Sequence, residues 1–215
     1  LYSSAASDVY KRQPLSQLVL PGLTPSATRR IADDYYPTPQ WLIDAAVCRL
    51  GRSHRRILDP GSGDGRLAMS AVARRHPHPC QVTAVELNEE RAADLPDDWE
   101  VICGNYLDWA AAAQGERRFD LIISNPPFTR WMDFIRASLP LLEHRGILLA
   151  LGFSNILGSQ KRAAWWKENR PQQIWQSSRR PQFRPDSQNG DPRETIWVQW
   201  GPSQSKHTKF DWLDL

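Results

Sequence analysis

The chain has 215 residues, 40% apolar and 24% charged, with a formal net charge of +3. That balance supplies a core and excludes disordered, collagen-like and low-complexity classes, and the length predicts one domain with short appendages. The charge is uneven, with 17 basic against 18 acidic residues through position 159 and 10 against 6 from position 160 onward.

Residues 1–33 lack periodicity and read as a disordered or non-native lead-in. Within them, Ser7 to Gln13 resembles the translation of a transposon-end adapter used in sequencing libraries, so residues 1–13 are set aside. Residues 34–201 hold the domain, and 202–215 read as a C-terminal tail. Tyr35-Tyr36-Pro37-Thr38-Pro39 precedes a helical run from Trp41 to Leu50, with Thr38 placed as its cap and Pro39 at its first position. Arg56–Asp59 is a short apolar strand, followed by a glycine turn and a helix from Arg66 to Arg75. Gln81–Leu87 forms a second strand, Asn88–Leu95 a short helix, Glu100–Cys103 a third strand and Phe119–Ser124 a fourth. An amphipathic helix spans Trp131–Glu143, and Gly146–Leu151 is a fifth, almost wholly apolar strand. Lys161–Asn169 is a further helix. Ile174–Ser177 and Thr195–Trp200 are late strands joined by the polar loop Pro181–Arg193.

Apolar strands alternating with helices predict an α/β fold, a Rossmann-like doubly wound, mostly parallel sheet of seven strands. Ligands of such sheets sit beyond the carboxyl ends of the strands. The chain has no apolar run near the roughly 20 residues of a membrane helix and no secretory pattern at its start. Cys48, Cys80 and Cys103 lack the spacing of a metal site. The reading is a soluble cytoplasmic protein with no membrane or metal partner.

Asp59-Pro60-Gly61-Ser62-Gly63-Asp64-Gly65 lies between a strand and a helix, where glycines allow a tight turn and a helix start offers free N–H groups to a ligand. Glu86 ends the next strand, 21 residues after Gly65, and a carboxylate there can accept from both hydroxyls of a ribose. Together they point to a nucleoside-containing cofactor. The spacing G-x-G-x-G differs from the dinucleotide fingerprint G-x-G-x-x-G. It resembles the first motif of class I S-adenosylmethionine-dependent methyltransferases. The resemblance implies S-adenosyl-L-methionine as cofactor, with the loop around its methionine part, Glu86 on its ribose, and Asn105 with Tyr106 near its adenine.

Ser124-Asn125-Pro126-Pro127-Phe128 follows the fourth strand. Two prolines remove two N–H donors, so the turn offers acceptors. The Asn125 Oδ1 and the Pro126 carbonyl suit the two N–H groups of a planar amine, and Phe128 suits its ring. The motif, with Asn125, Pro126, Pro127 and Phe128 catalytic, resembles the N-P-P-[FY] signature of methyltransferases acting on amino nitrogens. With Pro37, Thr38 and Pro39 placed ahead of the glycine loop, the order resembles small phage-type DNA adenine methyltransferases. There the P-T-P element closes over the methionine end of the cofactor, and the base is extruded into the pocket.

Those enzymes also carry an R-P-x-F element, here Arg180-Pro181-Gln182-Phe183. Arg179, Arg180 and Arg184 are assigned to phosphates and Phe183 to an extruded base. Trp165, Trp166, Trp175, Trp197 and Trp200 read mainly as core. Only about 35 polar or irregular residues remain for reading sequence, which predicts a short target site or single-stranded DNA. RNA adenine, a protein glutamine amide, and a non-catalytic nucleic-acid-binding subunit of the same fold are the alternatives.

Overall fold

Phe119–Ser124 buries all six of its residues, which a strand achieves only in a sheet covered on both faces. The computed structural model describes residues 35–51, 54–74, 79–115, 118–183, 193–201 and 207–213. The lead-in, most of the polar loop, and Arg184 fall outside them. The elements are α1 (Gln40–Val47), β1 (Arg56–Pro60), α2 (Arg66–Ala73), β2 (Gln81–Glu86), α3 (Glu89–Ala93), β3 (Glu100–Cys103), α4 (Tyr106–Ala113) and β4 (Phe119–Ser124). After them come α5 (Trp131–Ser138), β5 (Leu142–Phe153), α6 (Gln160–Glu168), β6 (Gln173–Ser177), β7 (Thr195–Trp200) and β8 (Lys209–Leu213).

One sheet of eight strands runs β3-β2-β1-β4-β5-β7-β6-β8. Strands β1 to β5 pair in parallel, β7 is antiparallel to β5 and β6, and β8 is parallel to β6. This is the expected doubly wound α/β fold with one strand more than the seven predicted. β1 lies between β2 and β4, so the strand order reverses there and opens a crevice at the carboxyl ends. Alternate residues of each strand feed opposite layers. Ile57, Leu121, Ile123 and Leu149 pack against Leu42, Ile43 and Leu67 of α1 and α2. Leu58, Ile122, Leu148 and Ala150 pack against Tyr106, Trp131 and Ile135 of α4 and α5.

Four differences from the sequence reading have physical causes. The helix expected to run to Glu143 stops at Ser138, because Pro140 has no N–H and passes the chain through a 3-10 turn, Leu139–Leu141. Leu142 then pairs with Phe119, so β5 starts four residues earlier than predicted and reaches 12 residues. α4 is an unpredicted helix, started by the Asn105 side chain accepting from the Leu107 N–H and carried by four consecutive alanines. β8 arises from residues read as a tail: its register on β6 buries Leu213 in the core and leaves Phe210 and Trp212 exposed. Among the described residues, no helix is long and apolar enough to cross a membrane.

The end of β5 is closely packed against α5. Trp131 is 2% exposed, and its indole N–H donates to the Leu151 carbonyl at 2.7 Å. A Cβ on Gly152 would stand 2.9 Å from that indole nitrogen and 2.8 Å from Ile156. Gly152→Ala is therefore expected to lower the unfolding free energy by about 1–3 kcal/mol through overpacking. Urea titration followed by circular dichroism measures the loss.

Candidate active site

The glycine loop is built from its backbone. Gly61, Gly63 and Gly65 have φ of 65°, 58° and 73°, a region that other residues enter at a cost of roughly 1–2 kcal/mol. Gly61 and Ser62 donate their N–H groups to the Val85 carbonyl at 2.8 and 3.1 Å, and Gly63 donates to Glu86 Oε2 at 2.8 Å. The loop N–H groups expected to face a ligand thus fasten the end of β1 to the end of β2. The Glu86 carboxylate, 4% exposed, also accepts at Oε1 from the Asn88 N–H (2.9 Å) and the Arg91 guanidinium (3.1 Å), tying loop, strand and α3 together. A ribose at Glu86 would share its carboxylate with those donors.

Asp59 does not line the cleft. It is fully buried beneath the loop, where its Oδ2 accepts from the Ala68 N–H in the first turn of α2 and its Oδ1 has no partner. Burial pushes its carboxyl well above the usual range, against the pull of the Ala68 N–H. The assignment of Asp59 to the cofactor is corrected: it is a tie between loop and helix. Gly65 also faces packing, since a Cβ there would stand 2.8 Å from Leu95. Gly61, Ser62, Gly63, Asp64 and Glu86 line the cleft. Ser62 was not singled out in the sequence, yet its buried hydroxyl has no partner.

Tyr35–Pro39, the entry segment, crosses this loop. The ring of Tyr35 covers Gly63, where a Cβ would lie 2.7 Å from it, and the Arg91 guanidinium stacks on the ring 4.5 Å from its centroid. Burial raises the Tyr35 phenol, and the neighbouring Asp64 carboxylate adds to the effect. Asp64 and Arg66 form a forked ion pair, and Arg66 Nη1 donates to the Thr38 carbonyl at 3.1 Å. Burial works to raise the Asp64 carboxyl, but the Arg66 guanidinium outweighs it and holds the group below its ordinary value. Pro39, not Thr38, is the N-cap of α1, with its carbonyl accepting from Leu42. Thr38 is free for another task.

That task is Asn125. Ser124 Oγ donates to the Pro60 carbonyl at 2.7 Å, so the tetrapeptide stands beside the glycine loop. Asn125 Nδ2 donates to the Tyr36 carbonyl at 2.9 Å and to Thr38 Oγ1 at 3.0 Å, while its buried Oδ1 has no partner. A carbonyl only accepts, so Nδ2 must face Tyr36 and the oxygen is left over for a donor. Asn125 and Pro127 line the cleft with Pro37 and Thr38. The Pro127 carbonyl is taken by the Arg130 N–H at 2.9 Å.

The other predicted residues separate. The Phe128 ring lies outside the cleft lining, 3.8 Å from the centroid of Phe153, with Tyr36 and Phe183 at 6.2 and 6.1 Å. Phe183, assigned to stack on a base, is 2% exposed and edge-on to Phe128 and Phe153. Burying its ring in this cluster removes more apolar surface from water than an open loop would allow. Arg193, at the end of the loop, lays its guanidinium 3.7 Å from the Phe153 centroid and was not singled out in the sequence. Arg179 and Arg180 are exposed, and Arg179 stacks over Trp41 at 4.8 Å. Asn105 lines the cleft beside Tyr106, although it is exposed and spends its oxygen capping α4. Tyr106 lines the cleft from a buried position, its hydroxyl 2.7 Å from Ser138 Oγ, and burial pushes its phenol far up. Among the described residues no three His, Cys, Asp or Glu side chains gather as a metal site.

Comparison with known proteins adds to this geometry. The family model described as methyltransferase small domain matches residues 44–154. The chain is 42% identical over 83 residues to the tRNA1(Val) (adenine(37)-N6)-methyltransferase of Klebsiella pneumoniae, covering 34% of this chain and 33% of that protein. It is 36% identical over 121 residues to the release factor glutamine methyltransferase of Bordetella pertussis, covering 52% and 43%. The chain thus spans about a third to two fifths of these relatives' lengths. Its fold is similar to the type I restriction-modification methyltransferase subunit of Streptococcus thermophilus, with a TM-score of 0.66, 16% identity, and coverage of 82% of this chain and 47% of that one.

The raised carboxyl of Asp59 makes stability depend on pH. Its contribution is fully present below the unfolded value near 3.8 and is lost as pH rises through the higher folded value. Asp59→Asn keeps an acceptor for the Ala68 N–H and cannot ionise. The variant's unfolding free energy should therefore gain on the native chain as pH rises, which urea titrations across the pH series will measure.

Proposed function

The chain belongs to the methyltransferase small domain family, and from that premise we propose that it methylates the exocyclic amino nitrogen of adenine in DNA. S-adenosylmethionine is the cofactor, and when bound it supplies an electrophilic methyl group on a positively charged sulfur. The cleft fits that molecule. It has an unpartnered buried hydroxyl at Ser62, carboxylates and guanidiniums for a zwitterionic end, and an exposed Leu87 for a flat base. Gly61, Ser62 and Gly63, with Pro37 and Thr38 across from them, would hold the methionine part. Glu86 would hold the sugar, with Asn105 and Tyr106 near the base.

One observation carries the reaction class: the buried, unpartnered Asn125 Oδ1 at the edge of this cleft. An aromatic amino group is a weak nucleophile because its lone pair is delocalised into the ring. Asn125 Oδ1 accepts one of its N–H bonds and the Pro126 carbonyl the other, drawing the nitrogen toward tetrahedral geometry and localising the pair for in-line attack. Orientation of this kind contributes on the order of 7–11 kcal/mol to such reactions. Phe128, outside the cleft lining, is braced on Phe153 and supports the turn that carries Asn125.

DNA is favoured by the order of the P-T-P element, glycine loop and N-P-P-F, and by the basic residues after position 160. Arg179 and Arg180 are exposed for phosphates at the end of β6, and Arg184 follows them in sequence. The short irregular stretch fits a short target or a single strand. Adenine in RNA is the second reading, favoured by the 42% identity to a tRNA adenine enzyme.

Duplex DNA, single-stranded DNA, tRNA and protein are to be incubated with the chain and methyl-labelled cofactor. Nucleoside mass analysis is expected to find N6-methyladenine from DNA. Label confined to RNA or protein would overturn the DNA assignment. Asn125→Ala should lower the rate by roughly 10²–10³-fold, the scale of losing one preorganised polar contact, while the chain stays folded, its melting temperature reduced only by the loss of the two bonds to Tyr36 and Thr38. An unchanged rate would remove Asn125 from the mechanism.

A further inference from the structure

We propose that Thr38 is a positioning residue, whose hydroxyl orients the Asn125 amide and whose carbonyl couples that amide to the cofactor loop. The proposal rests on the amine-methylation reading above. An asparagine's terminal torsion is soft, so its own rotamer preference does not hold the amide plane. Both donors of Nδ2 are instead spent on the entry segment, one on the Tyr36 carbonyl and one on Thr38 Oγ1. With both N–H groups held, Oδ1 is turned away from the segment as the remaining acceptor.

Thr38 is 3% exposed and works in two directions. Its hydroxyl faces the turn after β4, and its carbonyl accepts from Arg66 Nη1 at 3.1 Å. Arg66 is in turn clasped by Asp64 of the glycine loop. The path Asp64–Arg66–Thr38–Asn125 therefore joins two groups of the cofactor cleft to the acceptor that meets the substrate. A displacement of the loop moves the Thr38 carbonyl, and the hydroxyl on the same residue carries that displacement to Asn125. The resemblance on which Thr38 was first picked out concerns the methionine end of the cofactor, whereas these bonds direct it toward the amine.

Thr38→Val removes the acceptor and keeps the branched shape, and Thr38→Ser keeps the hydroxyl. At saturating cofactor, Thr38→Val should lower kcat about tenfold to a hundredfold, the scale of a misplaced reacting group, and Thr38→Ser should restore most of it. Hydrogen exchange of the Asn125 side-chain amide, read by 15N NMR and assigned by its disappearance in Asn125→Ala, should be faster in Thr38→Val and near native in Thr38→Ser. A loss confined to the KM for cofactor, or exchange that Thr38→Val leaves unchanged, overturns the proposal. If Thr38→Val does not fold, Thr38→Ala against Thr38→Ser gives the same contrast. The exchange measurement needs no substrate. If no substrate class is methylated, the amine reading falls while the orientation of Asn125 is still decided.

Discussion

Three strand ends must meet at one level, and a handful of buried hydrogen bonds makes them do so. Ser124 Oγ holds the end of β4 to the Pro60 carbonyl, and the N–H groups of Gly61 and Ser62 hold the loop after β1 to Val85 at the end of β2. Gly63 completes the set through Glu86. Each tie lies where water is excluded, so an unmade bond would cost more than a made one contributes. Remove this agreement and neither the cleft nor the placement of Asn125 beside it survives.

The loop reaches that geometry at a conformational cost, with three glycines in the left-handed region. The N–H groups of Gly61, Ser62 and Gly63 are consumed in holding it, and the polar groups left unpartnered beside the cleft are the Ser62 hydroxyl and the Asn125 oxygen, next to the charged pair Asp64–Arg66. Asp59 shows the same division of labour. A fully buried carboxyl is an expensive way to satisfy one N–H of α2, and its value lies in fastening the helix under the loop.

Much of the fold was legible in the residues. Ile57-Leu58, Val82 to Val85 and Leu121 to Ile123 are apolar runs that read as buried parallel strands, and they form them. Gly61 and Gly63 with Glu86 were recognisable from spacing, and they line the cleft. α4 was missed although its Asn105 cap and alanine run were present. β8 was missed because Phe210 and Trp212 stay exposed, so its sequence lacks the burial pattern of an inner strand. Phe183 was misread because a motif position says nothing about which neighbours compete for a ring, and Phe128 and Phe153 were waiting for it.

The sequence by itself determined the alternation of strand and helix, the glycine turn, and the presence of an amide acceptor after the fourth strand. These follow from local rules: apolar period, glycine's access to positive φ, and proline's missing N–H. Only the tertiary structure decided which way the amide of Asn125 faces, which oxygen of Thr38 serves which neighbour, and that Asp59 lies beneath the site. Those outcomes depend on groups that carry no sequence signal, above all the Tyr36 carbonyl. Every residue has such a carbonyl, and only packing brings one from 89 residues away to within 2.9 Å of Asn125.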